Sequence, residues 1–588
     1  MVDLTTKPFY LDSQAIEWVE RTIASMSMDE KIGQLFIDHS NGDCNEEFIR
    51  QRISKTKCGG LRYINLKPSD MRSHNLCYQK HSNLPLLIAA NIEAGGNGAC
   101  KGGTRVGEEI KVAATGDPRY AYELGYIGGL EAKAVGCNWA FTPIVDLQMN
   151  WRNPIISTRT WSSDVGTCLE MSRCCLKGIH DAGILATAKH FPGDGVDERD
   201  HHYSSSVNTL GAKEWDESYG MIYRAMVEDG VDAVMAGHIM LPSYQDEIAR
   251  QWKSNGKDVS SQYLPASLCR ELLTGLLREK LGFNGLIVTD ATHMVGMSGR
   301  MSRKDALVSA VNAGCDMLLF FNDVEEDFEY MRDAVRQGRL SMSRIDDALR
   351  RILGLKAKAR LQNGVDEERF PSLEVVGCQR HQHVAKEVSD KSVTLAKMVG
   401  PAFLPVSPKT HRRVLIVPVH TPEPEFAKLV ASMSLGNESN SFTISEKIKQ
   451  RLEKRGFDVE IFVSPLHSND SRTSPYEYKS SIEEFKSKYD LVLTIAFCGS
   501  FGVVQRLSWD TPKGGFEVPW YVNDVPVVFA SFASPFHLAD VPQVKCLVNC
   551  YDASDSTIGS FVEKLVGESD FTGRSPVDVF CGLLDTKF

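Results

Sequence analysis

Apolar residues in this chain come in short runs, and helical spacing fills the stretches between them. IGQLFID, CGGLRYIN (58–65), LPLLIAANIEAGG (84–96), the end of GYIGGLEAKAVGCNWAFTPIVDL (125–147), GILATAKH (183–190), VDAVMAGHIM (231–240), FNGLIVTDATHM (283–294) and CDMLLFFND (315–323) each suit one buried strand. Upstream, QAIEWVERTIASMS (14–27) sets Ile16, Val19, Ile23 and Met26 on one helical face, and 68–81 reads as a polar helix. Seven or eight strand–helix units joined by right-handed crossovers predict an N-terminal (β/α)8 TIM-type barrel.

Residues 325–360 continue in helical spacing, with Ile345, Ala348, Leu349, Ile352 and Leu355 on one face. QNGVDEERFPSLEVVGCQ (362–379) reads as a linker, and a helix is expected over 381–397. Five further apolar runs follow: RRVLIVPV, DVEIFV, YDLVLTIAF, VPVVFASFA and QVKCLVNCY. With helical patterns such as 445–456 between them, they predict a C-terminal three-layer α/β/α sandwich with a mostly parallel sheet. The expected division is a barrel over 1–361, a linker and connecting helix over 362–400, and an accessory sandwich over 401–588. SFGVVQR and SFASPFHL follow strands and are candidates to touch a ligand. No G-x-G-x-x-G or Walker A follows a strand, so nucleotide binding is not expected.

Composition narrows the partners. The net charge of −10 argues against nucleic acid and against an anionic membrane surface. No apolar run is long enough to span a bilayer, and the N-terminus lacks the basic start and apolar core of a signal peptide. The 15 cysteines are odd in number and form no C-x-x-C pair, as reduced thiols would, so a cytoplasmic location is expected.

Candidate chemistry gathers at the strand ends, where barrels carry their sites. Asn91 and Glu93, Asp146, Arg152 and Arg159, Lys189 and His190, His238, Asp290 and His293, and Asn322 and Asp323 all fall there. The densest stretch is ATAKHFPGDGVDERDHHYSSSVN (186–208), which runs from a strand through a turn into a charged and aromatic patch. Asp200 and His202, two residues apart on an extended segment, would project to one side, with His201 pointing away. A carboxylate beside an imidazole fixes its tautomer and keeps a general acid available near neutrality. The same residues also read as a solvated charged loop, or as metal ligands drawn from His190, Asp194, Asp200, His201 and His202. Their spacing matches none of the usual zinc patterns, and no metal or cofactor is expected. Asp290, just past an apolar strand, is a further candidate carboxylate.

KHFPGDG, four residues, then D-x-H resembles the signature of glycoside hydrolase family 3, in its β-N-acetylhexosaminidase branch. The usual pattern there is K-H-F-P-G-H-G-x-x-x-x-D-x-H, so Asp194 stands where a His is usual. The resemblance implies His202 as general acid/base, Asp200 as its orienting partner and Asp290, in TDA, as nucleophile. It also implies Arg159 (in STRTW), Lys189 and His190 as substrate-binding residues. Asn91 aligns with the Asp of D-x-E-x-G, and Glu93 is its candidate replacement; His238 completes the expected binding set. The implied activity is retaining hydrolysis of terminal β-N-acetylglucosaminides by a monomer or homodimer. β-N-Acetylglucosaminide phosphorolysis, β-glucosidase or β-xylosidase activity and a non-catalytic sugar-binding protein remain as alternatives.

Overall fold

The computed structural model describes residues 2–42, 45–365, 367–419, 440–462, 481–498, 507 and 521–588. Eight short parallel strands form the first sheet: β1 (Phe36–Ser40), β2 (Gly60–Tyr63), β3 (Leu87–Ala90), β4 (Trp139–Ala140), β5 (Thr187–Phe191), β6 (Ala233–Ala236), β7 (Leu286–Ala291) and β8 (Met317–Leu319). Their order, β4-β3-β2-β1-β8-β7-β6-β5, brings the two end strands together. Parallel bridges Trp139–Leu185 and Ile144–Lys189 join them and turn the sheet into a barrel.

Both faces of these strands are covered, which is why their sequences are continuous apolar runs without alternation. Ile37, Leu61, Ile88, Ala89, Ala188, Val234, Val288 and Leu318 are all fully buried. The outer helices bury one stripe each. Helix Val324–Arg336 turns Phe328, Met331 and Ala334 inward, and Asp323 caps it by accepting hydrogen bonds from the Glu325 and Glu326 amides. Asp323, placed above among the strand-end candidates, is thus a helix cap. The helical stretch 325–360 is two helices, with Met342–Lys358 as the second.

The linker region holds short 3-10 turns at Leu361–Asn363, Glu367–Arg369 and Leu373–Val375. It is tied to the barrel by Gly377, whose amide donates to Glu131 Oε1 at 3.1 Å. The helix expected over 381–397 spans Gln379–Ser392 instead. The next residues form strand β9 (Thr394–Met398), because Val393 and Thr394 are β-branched and find an antiparallel partner in the second sheet.

That second sheet adds β10 (Arg413–Val419), β11 (Asp458–Ile461), β12 (Leu491–Ala496), β13 (Val527–Ser531) and β14 (Cys546–Asn549). Its order is β9-β14-β13-β12-β10-β11, parallel except for β9. Leu491, Leu493 and Ile495 pack with Ile444, Ile448, Leu452 and Phe561 from helices Ser441–Glu453 and Asp555–Leu565. Val492 faces Phe485 of helix Ile482–Lys488 on the other side, which completes three layers. The period-2 alternation of the strand splits its residues between the two faces.

The two parts meet over a buried polar and apolar seam. Lys111 Nζ, fully buried, lies 3.0 Å from Asp552 Oδ2 and donates to Ser389 and Thr557. Ile110 and Ala114 cluster with Phe536, Tyr551 and Val577. Pro576 accepts at its carbonyl from Ser162 Oγ at 2.6 Å, three residues past Arg159. No helix among the described residues is long and apolar enough to cross a membrane. SFGVVQR lies outside the described residues.

Candidate active site

Asp290 sits in the last turn of β7, its side chain 14% exposed at the mouth of the barrel. Its Oδ1 accepts from the Ala291 amide at 2.7 Å. Its Oδ2 faces two imidazoles, with His190 Nε2 and His201 Nε2 each 3.9 Å away. Burial opposes a charge on this carboxyl. The surrounding His190, His201, His238 and His202 outweigh burial and hold it below the usual carboxylate range.

The loop after β5 delivers the second group. Asp200 Oδ1 accepts from both the amide (2.8 Å) and Nδ1 (2.6 Å) of His202. This is a turn, closed also by the Tyr203 amide donating to the Asp200 carbonyl at 3.1 Å. The pair therefore meets through an Asx-type turn, and the extended segment expected for it is absent. Asp200 is buried while His202 is 25% exposed, so the carboxylate is withdrawn and the ring reaches toward the mouth. Burial works against the Asp200 charge, and the His202 hydrogen bond and charge overcome it, so Asp200 stays ionised.

The loop is fastened at both ends. Val295 and Gly296 amides, just past β7, donate to the His202 and His201 carbonyls, each at 3.0 Å. Ser206–Val207 pairs with Ile239–Met240 in a short parallel ribbon. Across the barrel mouth, Glu93 accepts Arg159 in a bidentate pair (2.9 and 3.1 Å) and Lys189 at 2.5 Å. Arg159 and Lys189 together overcome burial and hold Glu93 well below its usual range. Two cations clamped by one carboxylate present a rigid set of N–H donors of the kind that grips sugar hydroxyls.

A family model for the glycosyl hydrolase family 3 N-terminal domain matches residues 27–355. The chain belongs to glycosyl hydrolase family 3. It is 38% identical over its full length, and that of the relative, to a protein from Cellulomonas fimi named β-N-acetylglucosaminidase/β-glucosidase. It is 28% identical, over 48% of each chain, to β-hexosaminidase A of Pseudoalteromonas piscicida. Among solved structures it superposes on one titled β-glucoside phosphorylase BglX with a TM-score of 0.88, at 38% identity and 99% coverage of both chains. A family 3 β-N-acetylglucosaminidase from Paenibacillus shares the fold, with a TM-score of 0.76 over 95% of this chain and all of that one, at 24% identity.

Within this family 3 glycoside hydrolase, the other expected residues take distinct places. His190 is buried, and its Nδ1 pairs with Asp146 Oδ2 at 2.7 Å, which turns its Nε2 toward Asp290. Asp146 also accepts from the His190 and Asp194 amides, so one carboxylate organises the whole turn. Asn91 follows β3 beside Glu93, and its buried Oδ1 has no hydrogen-bond partner. His238, expected among the sugar-binding residues, is bonded at both ring nitrogens. Its Nδ1 bonds Ser267 Oγ (2.8 Å) and its Nε2 bonds the Ala291 carbonyl (3.0 Å). Both ring nitrogens are taken by protein groups, so this ring props the strand end that carries Asp290. Arg152 lies at the surface over the Trp151 ring, 3.9 Å from Glu198.

His201 was expected to point away, and it is instead fully buried beside Asp290, His190 and His202. The turn rotates it inward, and alternation along a strand does not apply there. Only the local turn signal of D-x-H-x-S, with Asp200 free to bond its own backbone, pointed to this outcome. Asp200, His201 and His202 also bring one ligand atom each within 4.8 Å of one another.

Proposed function

We propose that this family 3 enzyme is a retaining β-glycosidase that works through a glycosyl ester on Asp290, with His202 as general acid/base held by Asp200. The observation that carries this reading is the pairing of two opposite environments at one barrel mouth. An ionised carboxylate is ringed by imidazoles, and an imidazole is bonded at 2.6 Å to an ionised carboxylate.

In the first step an Asp290 oxygen attacks the anomeric carbon and a C–O ester bond forms. The bond from that carbon to the aglycone oxygen breaks, and the His202 imidazolium gives that oxygen its proton. Asp200 stabilises the imidazolium beforehand and keeps Nδ1 bonded, so the proton leaves from the opposite nitrogen. In the second step the acceptor attacks the same carbon, the ester opens, and Asp290 returns to carboxylate. Neutral His202 takes the acceptor's proton. Glu93, Arg159, Lys189 and His190 line the sugar side. The substrate read from the relatives' names is a terminal β-linked N-acetylglucosamine or glucose.

Phosphorolysis is favoured as the second reading by the structure titled a β-glucoside phosphorylase at 38% identity. It also fits the chemistry. A spent His is neutral, whereas a spent Glu would be an anion and would repel a phosphate acceptor. The test is labelling with a 2-deoxy-2-fluoro glycoside followed by peptide mapping. The label is expected on Asp290, and Asp290→Ala should lower kcat by at least about 10³-fold. A label on another carboxylate overturns the reading. Turnover of aryl β-N-acetylglucosaminide and β-glucoside, with and without phosphate, then separates water from phosphate by whether a sugar 1-phosphate forms.

A further inference from the structure

His201 carries an unusual set of constraints. Its ring is fully buried, and its Nδ1 accepts the His238 amide at 3.3 Å. That contact fixes the tautomer, because an accepting Nδ1 leaves the proton on Nε2. The resulting Nε2–H has no hydrogen-bond partner, although it is fully enclosed. It points between two carboxyls, Asp290 Oδ2 at 3.9 Å and Asp194 Oδ2 at 3.7 Å. Asp194 Oδ2 is likewise buried and unpartnered, while its Oδ1 accepts from Asn153 (2.9 Å) and the Gly195 amide.

The two carboxyls do not compete equally for that proton. Asp194 is packed against the Asp146 carboxylate, and burial and that like charge push it well above the usual carboxylate range, so it stays neutral. Asp290 is the anion of the pair. A buried N–H with a fixed tautomer is therefore aimed at the Asp290 oxygen that no backbone amide holds. Leaving such a donor unmatched in the interior is costly, and native proteins keep such groups mainly where they act.

We propose that His201 is a positioning residue for the nucleophile. It orients Asp290 Oδ2 for attack and steadies its charge, separately from the Asp200–His202 pair on the same loop. Asp194 serves as the neutral backing that leaves the N–H to Asp290. The inference rests on Asp290 being the nucleophile, as read above.

The test compares His201→Phe, which keeps a ring and removes the donor, with His201→Gln, which keeps an N–H near the Nε2 position. The readout is the single-turnover rate of Asp290 labelling by 2-fluoro glycosides with leaving groups from activated to poor. His201→Phe should slow labelling by about 10- to 100-fold. The loss should be equal for every leaving group, because the nucleophile and not the acid is disturbed. His201→Gln should recover most of it. His202→Ala should instead lose more as the leaving group worsens. The inference is overturned if His201→Phe labels at the wild-type rate. It is also overturned if its loss tracks the leaving group as in His202→Ala, or if Gln and Phe are equally slow. A wild-type label away from Asp290 would overturn the nucleophile reading itself, and so the two failures are told apart.

Discussion

Asp290 shows how one side chain can be given its protonation state by its neighbours. His190 and His201 face it at 3.9 Å, and their effect with that of the more distant His238 and His202 exceeds the cost of burying a charge, which keeps its pKa depressed. A depressed carboxyl stays ionised as pH falls and is protonated only below the ordinary range. The rate of Asp290 labelling by an activated 2-fluoro glycoside, which needs no acid, should therefore stay level from neutrality down to about pH 4. An acid limb centred at about pH 5 or above in that rate would show that the imidazoles do not hold the charge. Asp200 follows the same logic, since its hydrogen bond and attraction to His202 also outweigh burial. Asp290 and Asp200 are thus both held below the ordinary carboxylate range, while burial and the Asp146 charge push Asp194 well above it.

At the scale of elements, the loop after β5 and the short helix after β7 form one unit. Val295–Ser298 is the helix that holds His201 and His202 by their carbonyls, and Gly296 is its contact point. Alanine at 296 would gain up to about 1 kcal/mol of helix propensity. Its Cβ would meet the His201 carbonyl oxygen at 2.7 Å and His238 Cβ at 2.8 Å, and backbone cannot yield cheaply there. The steric term wins. Gly296→Ala should lower Tm and reduce kcat/KM on the order of 10-fold, a loss expected from displaced catalytic groups. Thermal melts together with steady-state kinetics check both.

The elements themselves were legible because their signals are local. The eight barrel runs were found because buried parallel strands are continuously apolar, and 68–81 is a helix with the expected ends. The turn at Asp200 was not legible as a turn. Its geometry depends on a side chain bonding its own backbone and on carbonyls taken up by residues nearly a hundred positions away. The two bonds of the His238 ring were not legible for a related reason, since Ser267 lies in a 3-10 turn and Ala291 at the end of β7, both far along the chain. Strand β9 was missed because its sequence, TLAKM, is only half apolar and becomes a strand when β14 pairs with it.

For the whole molecule, the seam between barrel and sandwich rests on a buried ion pair. Lys111 is held between Asp552, Ser389 and Thr557, all out of solvent. Burial opposes the Asp552 charge, and Lys111 and Arg105 overcome it and depress its pKa. Asp552→Asn would leave a buried ammonium without its counter-charge, at a cost of about 3–5 kcal/mol in unfolding free energy. A depressed carboxyl contributes stability above its unfolded pKa, so the gap between wild type and variant should be full at neutral pH. It should shrink as pH falls below about 4, where the carboxyl of the unfolded chain takes up protons while the folded one is still ionised. Urea titrations at the two pH values measure both. We propose, as the sequence suggests, that the barrel over 1–361 is the catalytic unit and 401–588 an accessory one, with 362–400 joining them.

The hydrogen bond from Ser162 to the Pro576 carbonyl ties the stretch bearing Arg159 to a segment made long after the barrel's last strand. During synthesis, folding proceeds from the N-terminal side as the chain emerges. A barrel that folds first would hold Asp290 and the Asp200–His202 turn, while the stretch bearing Arg159 would lack this outer brace until the second part docks. If Arg159 grips the sugar as proposed, tight binding would then wait on that docking.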